Sequence, residues 1–176
     1  MTRIYVASSW RNPHQPEIVE RLRAAGHTVY DFRNPPGRTG FAWSEIDPAW
    51  KQWTAQQYIA ALDHPAAVAG YASDFGAMRG SDMCILVLPC GRSAHLELGW
   101  MAGQGKRTAV LTRDGEEPEL MARMVDLITD DVDQLVSWAS VRRGDRYRWR
   151  SAATGRFITG RVGRANPDRT VRERSR

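Results

Sequence analysis

The sequence is short of most devices that hold small or exported domains together. It has two cysteines, Cys84 and Cys90, in no CxxC pair and with no His/Cys cluster at zinc spacing. That excludes a zinc ribbon or a dithiol redox motif. A chain of 176 residues buries enough core to need neither. Cys84 lies inside an apolar run and reads as core, and Cys90 falls just past it. Nowhere does the chain approach the roughly 18 consecutive apolar residues of a membrane helix. The opening "MTRIYVASSW" lacks the apolar segment of a secretory signal. The expectation is a reduced, cytoplasmic protein with no membrane partner. There is no GxGxxG after the first strand-like run, which disfavours a standard dinucleotide fold, and there is no internal repeat.

Charge is unevenly spread. Residues 142–176 hold twelve arginines, no lysine and three acids. Residues 1–141 hold thirteen basic residues against seventeen acids. The net charge of +5 therefore conceals a mildly acidic body and a strongly basic tail that meet near Arg142.

Within the body, strand-like and helix-like patterns alternate. "RIYVAS" (3–8), "TVYDF" (28–32), "MCILVLP" (83–89), "RTAVLT" (107–112) and "LIT" (127–129) read as strands. The third is apolar throughout, as expected of a parallel strand covered on both faces. Between them, residues 16–27 carry apolar side chains at helical spacing and end on Gly26. Asp47 and Pro48 offer a cap and a first position for a helix over 48–63. Further helices are expected over 64–82, 93–105, 117–126 and 130–141, with Asp82 as a turn or cap residue. The order predicts a doubly wound, flavodoxin-like or Rossmann-like α/β sandwich with a parallel sheet of about five strands. In the tail, "RYRWR" and "RFITG" flank "SAATG" as a small hairpin, and the last residues read as disordered.

Open α/β sheets bind ligands beyond the carboxyl ends of their strands. Three segments meet there: "SSWRN" (8–12), the long Pro/Gly-punctuated loop from residue 33, and "CGRSAHLE" (90–97). They put Ser8, Ser9, Trp10, Arg11, Trp43, Gly91, Arg92, Ser93 and His95 at the ligand edge. Small residues and a helix start offer N–H groups to an anion, Arg11 and Arg92 add charge, and Trp10 and Trp43 offer rings for a base. His95 is more often a packing or hydrogen-bonding residue than a catalyst. Glu97 stands out, because it lies between Leu96 and Leu98 on an apolar helix. A capping box sets Glu or Gln three residues after its Ser or Thr. With Ser93 as the cap that position is Leu96, so Glu97 comes one residue late. Asp74, in "YASDFGAMRGSD", poses the same question, its ordinary alternative being a solvated helix residue.

These segments together resemble a known family. "RIYVASS", a helical "SD" before an apolar strand, and "SAHLELGWMAGQGKRTAVL" are similar to the nucleoside 2-deoxyribosyltransferases and the related 2′-deoxynucleoside 5′-phosphate N-hydrolases. The likeness spans about residues 3–112. It is strongest in the run of Glu97, Leu98, Gly99, Trp100, Gly103, Gly105 and Lys106. The resemblance implies that Glu97 is a nucleophile and that Asp74, 23 residues earlier, is the acid/base that serves the departing nucleobase. It implies no cofactor and no metal, a nucleotide or nucleoside substrate, and a homo-oligomer. Six positions before the glutamate the transferases carry an acid and the phosphate-selective hydrolases a serine, whereas this chain has Gly91. That departure, with Arg11 and Arg92, favours hydrolysis over base transfer. Three other functions fit the same residues: an NAD-cleaving enzyme, a non-catalytic nucleotide-binding or sensing module, and nucleic-acid association through the 142–176 tail, whose arginines alternate with Tyr147, Trp149 and Phe157.

Overall fold

The computed structural model describes residues 1–37, 39–141, 147–155, 157–158 and 167–174, and describes 147–150, 157–158, 167 and 172–174 by their backbone alone. In chain order the body runs β1 (Arg3–Ala7), α1 (Gln15–Ala24), β2 (Thr28–Asp31), α2 (Ala55–Leu62), α3 (Pro65–Gly80), β3 (Met83–Val87), α4 (Arg92–Gly103), β4 (Arg107–Leu111), β5 (Leu127–Thr129) and α5 (Val132–Ala139). The five strands form one parallel sheet in the order β2-β1-β3-β4-β5. This is the flavodoxin-like order the alternating pattern predicts. The chain leaves β1 first toward β2 and then crosses to β3 on the other side, so the sheet's switch point lies between β1 and β3.

The period-two alternation of strands sorts the core into two layers. Ile4, Val6, Met83, Ile85 and Val87 face Ile18, Val19 and Leu22 of α1 and Leu135 and Trp138 of α5. Tyr5, Ala7, Cys84 and Leu86 face Met78 of α3 and Ala94, Leu98 and Met101 of α4. All five residues of β3 are buried, as its unbroken apolar run requires.

Three local expectations change. The helix expected over 48–63 begins at Ala55, because Thr54 and Gln57 form a reciprocal capping box there. Asp47 instead accepts from the Ala49 amide and the Trp53 indole (2.8 and 2.5 Å), ahead of a short 3-10 turn at Trp50–Gln52. The helix expected over 117–126 is only a 3-10 turn at Leu120–Met124. In α4 the cap is Gly91 and not Ser93, which is the second helical residue. Beyond residue 141, β6 (Tyr147–Ser151) pairs antiparallel with β7 (Phe157–Ile158) and, on its other side, with β8 (Thr170–Arg174). Residues 170–174 are thus a strand where the sequence suggests disorder. Among the described residues no helix is long and apolar enough to cross a membrane.

Candidate active site

The parallel register sets Tyr5 of β1 beside Tyr30 of β2. Their rings stack, with centroids 5.4 Å apart and planes 12° from parallel, on the side of the sheet covered by α3 and α4. The Tyr30 hydroxyl donates to Asp74 Oδ1 at 2.7 Å and lies 3.0 Å from Ser73 Oγ. The Tyr5 hydroxyl hydrogen-bonds Glu97. Two carboxyls from two helices are thereby held against a stacked pair of phenols. Both are half-buried.

This setting reshapes the electrostatics. Burial, and then the charge of Asp74, push Glu97 up from the ordinary 4.5 to about 7, against the opposing effect of the Tyr5 hydrogen bond. Burial, then Glu97 and then Asp74, hold the Tyr5 phenol far above its ordinary value, so it stays a neutral donor. Both acids act on the one hydroxyl, which puts them in a common electrostatic neighbourhood. A buried carboxyl coupled to a second one is the arrangement that acid–base and nucleophilic catalysis use.

The loop after β1 borders this cluster at the switch point. The Ser8 hydroxyl donates to the Val87 carbonyl at the end of β3 (2.8 Å), and the fully buried Asn12 amide bridges both (3.0 and 3.1 Å). Ser8 is thus a strut between the two diverging strands. Ser9 Oγ accepts from the Arg11 amide at 3.2 Å, and the Arg11 side chain is exposed. Arg33, which the sequence reading passes over, clamps this loop. One guanidinium nitrogen shares its two protons among the Ser9, Trp10 and Asn12 carbonyls, at 2.8, 2.9 and 2.8 Å. Trp10 sets its edge against Phe32 (5.5 Å) and stays about half exposed (49%).

The long loop reaches the site by another contact. A Cβ on Gly70 would stand 2.8 Å from the Phe41 Cβ, so only glycine lets Phe41 dock on α3 there. Asp74 is one helical turn further on the same face of α3. Trp43 is engaged edge-on with Phe41, Trp53 and Tyr58, which ties the loop to α2.

Gly91 caps α4 in extended backbone (φ −89°, ψ 172°), and a side chain there would meet nothing within 4 Å. With the exposed Arg92 and Ser93 it leaves the start of α4 open. Arg92 and His95 line an apolar groove on the other flank of α4, floored by Leu98 and Val110 and rimmed by Glu116 and Glu119. Neither Glu97 nor Asp74 lines that groove. His95 Nδ1 lies 3.4 Å from Cys90 Sγ. Burial and the nearby acids Glu116, Glu97 and Glu119 push the Cys90 thiol up to about 12, which makes it inert at neutral pH. Among the described residues no three His, Cys, Asp or Glu side chains converge on a point a metal ion could occupy.

Tyr5 and Tyr30 are also absent from the sequence-derived site. The signal available was a phenol in the middle of each of the first two strands, where aliphatic residues usually stand.

No family model matches the chain, and no curated protein matches it. Its structure is similar to that of a 2-deoxyribosyltransferase from the psychrotolerant bacterium Bacillus psychrosaccharolyticus, with 20% sequence identity over 76% of this chain and 90% of that one and a TM-score of 0.56. A CMP N-glycosidase from Clostridium botulinum aligns with 15% identity over 78% of this chain and 97% of that one, at a TM-score of 0.44. The first likeness is one of fold: the body of this chain has the architecture of a 2-deoxyribosyltransferase.

Proposed function

We propose that the chain cleaves the N-glycosidic bond of a nucleoside or nucleotide, with Glu97 as nucleophile and Asp74 as acid/base. The observation that carries this reading is the pair of carboxyls, one on α3 and one on α4, bonded to stacked tyrosines at the sheet's switch point. The fold shared with a 2-deoxyribosyltransferase is consistent with it.

The chemistry follows from the arrangement. Breaking the bond at C1′ develops positive charge on the sugar, and a carboxylate beneath it stabilises that charge and forms a bond to C1′. The leaving base takes the pair's proton from the Asp74 side, which makes it a better leaving group. Water then attacks C1′, Asp74 takes the water's proton, and Glu97 is released as carboxylate. The reactive form holds one proton between the two acids and leaves Glu97 ionised. Tyr5 fixes the orientation of that carboxylate without competing for its charge.

Hydrolysis is favoured over base transfer, and a phosphorylated substrate over a bare nucleoside. The first turn of α4 is open at Gly91, and Arg92, Ser93 and Arg11 are available to a 5′-phosphate, as N–H groups at a helix start are. The test is release of free base, followed by chromatography, from nucleosides, ribo- and deoxynucleoside 5′-monophosphates and NAD. Release from a monophosphate that Glu97→Ala abolishes is the expected result. No release from any of them, or equal release by Glu97→Ala, overturns the reading.

A further inference from the structure

Lys106 is one of two lysines in a chain with 23 arginines. It follows α4 after a tight turn. Gly105 takes a left-handed conformation (φ +64°), and the Lys106 amide bonds back to the Met101 carbonyl at 3.1 Å. From there the side chain crosses to the far end of α3. Its ammonium donates to the carbonyls of Met78, Arg79 and Ser81 at 2.8, 2.8 and 2.7 Å. An ammonium has three protons and no more, and all three are used. Met78 and Arg79 lie in the last turn of α3 and Ser81 is its cap, so the ammonium adds a donor to carbonyls at the helix end, where the Met78 carbonyl also accepts the Ser81 amide at 3.2 Å, and a cation there interacts favourably with the helix dipole. The convergence of three acceptors on one point suits the compact ammonium of a lysine, with three rotatable donors on one nitrogen.

A second tie runs beside the first. Lys106 Nζ lies 5.6 Å from the centre of the Trp100 ring, and Trp100 meets Phe75 edge-on at 4.9 Å. Phe75 is next to Asp74, and Trp100 is one turn from Glu97. We infer that Lys106 is a positioning residue for the catalytic pair: by capping α3 from the end of α4 it sets the separation of Asp74 from Glu97. The inference rests on the proposed roles of these two acids, yet it can be tested without turnover.

The test compares the wild type with Lys106→Met, which keeps the aliphatic stem and removes the ammonium, and with Lys106→Gln, which restores N–H donors without charge. The titration of the Glu97 carboxyl is followed by 13C NMR, and kcat and KM are measured wherever base release is found. The groups that face Glu97 are Tyr5 from β1, Asp74 from α3, Cys84 from β3 and Cys90 just beyond it. Of these only Asp74 is carried by the helix that Lys106 caps. The expected result is that the Glu97 midpoint moves down from about 7 in Lys106→Met as Asp74 drifts away, with partial recovery in Lys106→Gln. Where turnover exists, kcat falls on the order of 10- to 100-fold with KM little changed, as a misplacement near 1 Å produces. A variant that is less stable but keeps the wild-type Glu97 midpoint and kcat overturns the inference. Should Lys106→Met fail to fold, the same readings on Lys106→Gln decide. An inactive wild type would sink the glycosidase reading alone, because the NMR titration still reports the geometry.

Discussion

Glu97→Gln is expected to stabilise the fold at neutral and alkaline pH while removing activity. The rise of Glu97 from 4.5 to about 7 means that ionising it costs about 3 kcal/mol more in the folded protein than in the unfolded chain. The folded state holds this proton more tightly, so unfolding releases it between these two values. The contribution to stability is therefore intact below pH 4.5 and is lost progressively until pH has risen through about 7. The substituted glutamine keeps the shape and a carbonyl oxygen for the Tyr5 hydroxyl but carries no charge. The difference between the two proteins isolates the ionisation. Urea unfolding of both at several pH values from 4 to 8 measures it. The wild type should lose about 3 kcal/mol relative to Glu97→Gln across that range, which corresponds to roughly 6–12 °C in Tm for a chain of this size. A stability difference that does not change with pH would refute the assignment of Glu97 as a carboxyl whose charge the fold opposes.

Tyr5→Phe removes the hydrogen bond that favours the Glu97 carboxylate, so the acidic limb of the pH–rate profile should move upward and activity at pH 6 should fall by about tenfold; a downward move would contradict the bond's direction. Gly70→Val drives a side chain into Phe41, and at an overpacking cost of about 1–3 kcal/mol it should release the 33–54 loop, seen as faster proteolysis within the loop and a lower kcat/KM. Deleting residues 142–176 should leave base release intact and abolish binding of a labelled single-stranded oligonucleotide, measured by anisotropy; if the full chain binds none at 50 mM salt, the tail has no nucleic-acid role.

The parts of the candidate site legible in the sequence were those encoded by local pattern. Glu97 between two leucines is out of place on an apolar helix, and Asp74 comes with it through the family resemblance of the run from Glu97 to Lys106. Positions that depend on competition between local signals were less legible. Asp47 and Pro48 promise a helix start, but the Thr54–Gln57 capping box satisfies two backbone groups where Asp47 satisfies one, and the helix begins there. Ser93 is the natural cap of α4 by residue type, yet the chain enters the helix in extended backbone two residues earlier at Gly91. Arg92 and His95 also line a groove that Glu97 does not reach, because the 3.6-residue turn points them to another flank of α4.

The alternation of elements can be read from the chain alone. An apolar third strand and strands alternating with helices leave a covered parallel sheet as the way to bury the strand on both faces. Which side chains come together depends on how those elements pack. Tyr5 and Tyr30 lie 25 residues apart and meet because the parallel register pairs them. Tyr30 then meets Asp74, Tyr5 meets Glu97, and Lys106 reaches back to the helix that carries Asp74. Sequence pattern reports which face of an element is buried, since that follows from periodicity along one segment. It does not report which segments face each other, and the pairing of the two carboxyls with the stacked tyrosines, together with the raised pKa of Glu97, arises only there.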